Sequence, residues 1–94
     1  MTRDIDCHIG ARLRRHRRLI GITQSALGNA VGVRFQQIQK YECGANVVSA
    51  ARLWWIALRL GVGMDYFFDG LHSDEQIELG RLPVGLQPAV EVGA

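Results

Sequence analysis

The sequence is short of cysteine, of proline and of long apolar runs, and each shortage excludes a class of protein. Two cysteines, Cys7 and Cys43, cannot make a disulfide framework. In a reducing compartment such residues are ordinary thiols. A zinc site would have to gather Cys7 and Cys43 with the scattered His8, His16 and His72, and no paired-ligand spacing joins them. No metal or other cofactor is expected. No apolar run nears the roughly 18 residues that a membrane span requires. The chain is charged from Arg3 onward with no apolar stretch of signal-peptide type, so a cytoplasmic protein without membrane association is expected. Enzyme signatures are missing too: there is no Gly-x-Ser-x-Gly elbow, no His-Glu-x-x-His, no phosphate loop and no carboxylate pair placed for acid–base work. Gly61-Val62-Gly63 reads as a helix stop, not as a nucleotide fingerprint. The protein is not expected to be an enzyme.

What remains is a chain of 94 residues, 48% of them hydrophobic, which suits one domain with its own core. Its formal charge of +2 conceals an asymmetry. Residues 1–44 carry eight Arg/Lys against three Asp/Glu, a net +5, whereas residues 45–94 carry three against six, a net −3. Five arginines fall between Arg12 and Arg18. Arginine suits phosphate, because its planar fork donates two parallel hydrogen bonds; the same run also suits a solvated helix face.

The pattern is helical throughout. From about Asp6 to Leu19 the residues Ile9, Leu13 and Ile20 recur on one face, and Gly21 stands where the helix would end. Thr23 is a good N-cap for a second helix, Gln24 to Ala30, with Ala26, Leu27 and Ala30 inward. Gly28 within it either weakens the helix or permits a neighbour to pack closely. Val31-Gly32-Val33 makes a tight turn with its valines in the core. A third helix runs from about Phe35 to Tyr41, with Ile38 and Tyr41 inward and Gly44 past its end. Ser49 caps a fourth, Ala50 to Leu60, with a core stripe of Leu53, Ile56, Ala57 and Leu60. A short fifth helix, Met64 to Asp69, contributes Phe67 and Phe68. Residues 71–94 hold both prolines and few large apolar side chains, so a largely flexible tail is expected, with one short helix at 74–79 behind a capping-box pattern at Ser73.

Two short helices joined by a glycine-centred turn, following a basic helix, form a helix-turn-helix pattern. The residues narrow it. The segment GITQSALGNAVGVRFQQIQKYECGAN, residues 21–46, resembles the DNA-binding domains of lambdoid phage repressors and Cro, the Xre family. The matching features are Gly21, Thr23-Gln24, Leu27, Ala30, Gly32-Val33, Gln36, Ile38, Glu42 and Gly44, followed by Leu60-Gly61-Val62 and Tyr66-Phe67-Phe68-Asp69-Gly70. The resemblance implies an all-α, five-helix lambda-repressor-like DNA-binding domain over residues 5–70, with the tail at 71–94 outside it.

Roles follow from the resemblance one position at a time. Arg34, Phe35, Gln36, Gln39 and Lys40 match positions that read base edges or flank those that do. Their chemistry agrees, since a glutamine amide pairs with adenine, lysine favours guanine and an aromatic edge packs on a thymine methyl. Gln24, Gln37 and Asn46 match backbone-contacting or flanking positions, and Arg17 matches an arginine that bridges the helix 3 glutamate, Glu42, and a phosphate. The sequence departs from the family pattern at Arg34, often a Ser or Thr cap, and at Cys43 and Val47, where phosphate-contacting residues are common.

The implied function is sequence-specific binding of double-stranded DNA by a homodimeric regulator, a repressor on an inverted-repeat operator. The alternative is a protein-interaction module of antitoxin type whose tail binds a partner protein. The resemblance leaves Trp54, Trp55 and Leu58 unexplained. These lie largely off the core stripe of helix 4, and they fit either a homodimer contact or a face covered by tail residues Ile77, Leu79 and Leu82.

Overall fold

Thr23 and Ser49 open their helices as capping chemistry requires. In the computed structural model, which describes residues 2–71, Thr23 Oγ1 accepts from the Ala26 N–H at 2.9 Å and Ser49 Oγ from the Arg52 N–H at 3.1 Å. Each satisfies a donor that the first turn leaves without a partner, a contribution of about 1 kcal/mol. The helices are α1 (Thr2–Leu19), α2 (Gln24–Val31), α3 (Phe35–Glu42) and α4 (Ala50–Leu60), and a 3-10 turn at Met64–Phe68 closes the fold. Among the described residues there is no strand, and no helix is long and apolar enough to cross a membrane.

The core gathers Leu13 of α1, Leu27 and Val31 of α2, Ile38 and Tyr41 of α3, Leu53, Ile56, Ala57 and Leu60 of α4, and Phe67 of the closing turn. α3 packs against both α1 and α2, while α4 lies on α2 and the closing turn lies on α1. Two glycines allow this closeness. A β-carbon on Gly10 would meet the carbonyl oxygens of Tyr41 and Glu42, so the backbones of α1 and α3 touch there. A β-carbon on Gly28 would lie 2.5 Å from the Val33 oxygen, so this glycine serves packing of the turn that follows α2. Gly32 makes that turn at φ +80°, a left-handed conformation that side chains disfavour.

Several expectations need correction. The fifth helix is a 3-10 turn: Gly63 offers no side-chain cap, and the Tyr66 N–H bonds the Gly63 oxygen three residues back at 3.1 Å. With about three residues per turn only a narrow face points inward, so Phe67 is fully buried while Phe68 is exposed. α1 starts at Thr2 rather than near Asp6, and Ile20 is exposed because it follows the last helical residue. α2 turns Leu27, Gly28 and Val31 inward and leaves Ala26 and Ala30 exposed; Val31 belongs to the helix, which shifts the buried face. The expected tail, including the helix at 74–79, lies outside the described residues except for Leu71.

Candidate nucleic-acid interface

The centre of the site is an ion pair inside the fold. Gly10, Leu13 and Arg17 share the buried face of α1, at spacings of three and four residues, and this face meets the end of α3. Arg17 Nε donates to Glu42 Oε2 at 2.5 Å and its NH2 to Oε1 at 3.0 Å, a two-pronged pairing. Its NH1 donates to the Ile22 carbonyl at 2.8 Å, which fixes the chain entering α2. Gln24, the first residue of α2, donates its amide to Glu42 Oε1 at 3.1 Å. Both charged residues are about 8% exposed. One carboxylate on α3 therefore ties α1, the α1–α2 turn and α2 together, and sets the angle at which α3 projects.

α3 presents its other side outward. Phe35, Gln36, Gln39, Lys40 and Cys43 are exposed, at spacings of three and four residues that place them along one side of the helix, and Arg34 precedes them. Arg34 makes no side-chain cap bond, so its guanidinium is not committed to the helix it opens. An open cleft of about 200 Å³ runs beside this face, lined by Arg14, Arg18, Gln24, Gln39, Glu42 and Cys43. Gln37 and Asn46 are half-buried and do not line it. The Asn46 loop folds back on α3, with Ala45 N–H bonded to the Lys40 oxygen at 2.9 Å.

Three further arginines of α1 are placed in two different ways. Arg12 stacks over the Tyr66 ring at 3.9 Å, donates to the Tyr66 carbonyl at 2.9 Å and pairs with Asp69 at 3.4 Å. It fastens the closing turn, as His8 does through the Asp69 carbonyl. Arg14 and Arg18, four residues apart, instead line the cleft. The family resemblance marks Arg17 alone among the five arginines at 12–18, and Arg14 and Arg18 carry no such signal. The signal that separates them is phase relative to Leu13, since Arg17 shares its face and Arg14 and Arg18 do not.

Trp54, Trp55 and Leu58 are not part of this site. They project from the side of α4 opposite its core stripe, at 53%, 57% and 56% exposure. Among the described residues no three His, Cys, Asp or Glu side chains gather as a metal site would require.

Two short helices at a tight glycine turn, the second with a polar outer face beside a basic helix, define a helix-turn-helix module. The helix-turn-helix family model matches residues 13–67, and the chain belongs to this Xre-type family of transcriptional regulators, carrying its DNA-binding domain. The chain is 44% identical over 79 residues to a transcriptional regulator in the ATPase CF(0) region of Rhodospirillum rubrum, covering 84% of this chain and 73% of that one. It is 47% identical over 72 residues to the HTH-type transcriptional regulator y4aM of Sinorhizobium fredii, covering 77% of this chain and 50% of the relative. It thus spans about half the length of y4aM and of the Sinorhizobium medicae relative. The crystal structure of the restriction-modification controller protein C.AhdI from Aeromonas hydrophila has the same fold, with a TM-score of 0.67, 24% identity and coverage of 70% of this chain and 96% of that one.

Proposed function

We propose that this chain binds a specific sequence of double-stranded DNA as a homodimer on an inverted-repeat operator and represses transcription by occupying it. The observation that carries this reading is the exposed polar face of α3 set on a buried Arg17–Glu42 pair. In this reading Gln36 and Gln39 read adenine edges, Lys40 reads guanine, Phe35 packs on a thymine methyl and Arg34 reaches the groove beside them. Arg14 and Arg18 hold phosphates across the cleft, with Gln24, Gln37 and Asn46 at the backbone on either side. Arg17 acts mainly by holding Glu42, because most of its guanidinium is committed inside the fold. DNA binding is assigned to residues 5–70. Selection of bound sites from a random duplex library tests the proposal. Two inverted half-sites centred about 10 bp apart, or a multiple of that, are expected. A library that returns no enriched site rejects it.

The homodimer is assigned to α4. Two tryptophans and a leucine in water forgo much of the about 1.5–3 kcal/mol that burying each large apolar side chain yields. Aromatics are enriched in interface cores, and one small domain makes too few phosphate contacts to hold DNA tightly alone. Replacing Trp55 with glutamate puts a charge in the centre of this face. The expected product has native helical content by circular dichroism and monomer mass by light scattering, with weakened operator binding. An unchanged dimer would remove α4 from the interface.

A further inference from the structure

Cys7 and Cys43 are 36 positions apart, and the fold brings them together where α1 meets the end of α3, Cys7 Sγ donating to the Cys43 carbonyl at 3.8 Å. Both thiols are exposed, although unpaired cysteine is among the residue types most often buried. Cys7 precedes Arg14 by seven residues, within about 20° of two full helical turns, so the two share a stripe of α1 that continues to Arg18. Cys43 lines the cleft with those same arginines. The Cys7 sulfur thus touches the backbone of Cys43, whose own side chain shares the cleft with Arg14 and Arg18. The turn after α3 rests directly on Cys7: a β-carbon on Gly44 would lie 2.6 Å from its sulfur.

We propose that Cys7 and Cys43 are a peroxide-responsive dithiol whose closure lowers operator affinity; the effect on DNA rests on the DNA-binding reading above. The Cys43 thiolate attacks the terminal oxygen of a hydroperoxide, the O–O bond breaks, and the leaving alkoxide or hydroxide takes up a proton. Cys43 becomes a sulfenic acid. The Cys7 thiolate then attacks that sulfur, the S–O bond breaks and hydroxide leaves as water, forming the Cys7–Cys43 disulfide. In sum the two thiols lose two electrons and two protons, and the hydroperoxide is reduced to an alcohol and water, or to two waters. Closure draws Cys43 Sγ away from the Lys40 carbonyl that it contacts at 3.5 Å. Because Gly44 packs against Cys7, it also displaces the turn at 43–46, which follows α3 and carries Asn46.

The test treats the full chain with hydrogen peroxide, maps disulfides in a digest made without reductant, and titrates the selected operator. Expected are a Cys7–Cys43 linked peptide, the loss of two hydrogens per chain, and affinity weakened about tenfold, comparable to one mismatched base pair. Dithiothreitol should restore binding. Cys7→Ser should bind the operator as the reduced protein does and yield no linked peptide. No linked peptide from the unsubstituted chain, a bridge between two copies instead, or a bridged protein that binds as tightly as the reduced one would each overturn the proposal. The peptide map requires no DNA, so failure of the reduced protein to bind any operator is recognised separately as failure of the DNA-binding reading.

Discussion

Replacing Arg17 with methionine is expected to destabilise the fold by about 3–5 kcal/mol, the range for breaking one side of a buried ion pair. The change leaves the Glu42 carboxylate enclosed, with the Gln24 amide as its remaining partner, and frees the Ile22 carbonyl. For a domain of this size each kcal/mol shifts the melting temperature by about 4–8 °C, so the variant should melt well over 10 °C lower. The double change Arg17→Met with Glu42→Leu should recover most of this loss, because an apolar pair of similar volume needs no compensating charge. Thermal unfolding followed by circular dichroism measures both. If the single variant melted with the unsubstituted protein, the pair would have no part in setting α3, and the positioning role given to Arg17 would fail.

Operator affinity is expected to fall by about 10³ between 50 and 200 mM salt if the dimer neutralises about six phosphates. In the proposed reading Arg14 and Arg18 would supply four of these across two copies, with the other two from further basic residues of the interface. Neutralised phosphates release condensed counterions, so the logarithm of affinity falls linearly with the logarithm of salt concentration at a slope of about −0.9 per contact. Titration by fluorescence anisotropy at four salt concentrations gives the slope. Changing Arg18 to alanine should make it shallower by about two, one contact per subunit. A slope near zero would mean that this basic face does not meet a polyanion.

Much of this was legible from local chemistry. Thr23 and Ser49 signal helix starts because their hydroxyls have a single good use there, and Gly32 signals the turn because φ near +80° suits no side chain. The Arg17–Glu42 pair followed from the family resemblance, and the geometry supplies it as two hydrogen bonds. What was not legible depends on tertiary contact. Gly10 carries no local signal, and only the carbonyl oxygens of α3 explain why it is glycine. Ala26 and Ala30 look as suitable for a core as Leu27 and Val31, and the packing of α2 against α3 and α4 buries only the latter two. Arg12 and Arg14 are indistinguishable in composition, yet one stacks on Tyr66 and the other lines the cleft. The sequence suggests a helix from Met64 to Asp69 that contributes both Phe67 and Phe68, whereas the 3-10 turn at Met64–Phe68 buries Phe67 and leaves Phe68 exposed.

The central claim is that α3 reads bases while α1 holds the backbone, and a specificity profile tests it most directly. Binding of the unsubstituted protein, Gln36→Ala and Arg18→Ala would be measured against every single-base variant of the selected operator. Gln36→Ala should lose about 1–3 kcal/mol and become indifferent to the base at one position of each half-site, with all other preferences retained. Arg18→Ala should weaken binding to every variant by a similar factor and leave the order of preference unchanged. If both substitutions weakened all variants alike, or if Gln36→Ala left the profile unaltered, α3 would not be the element that reads the sequence.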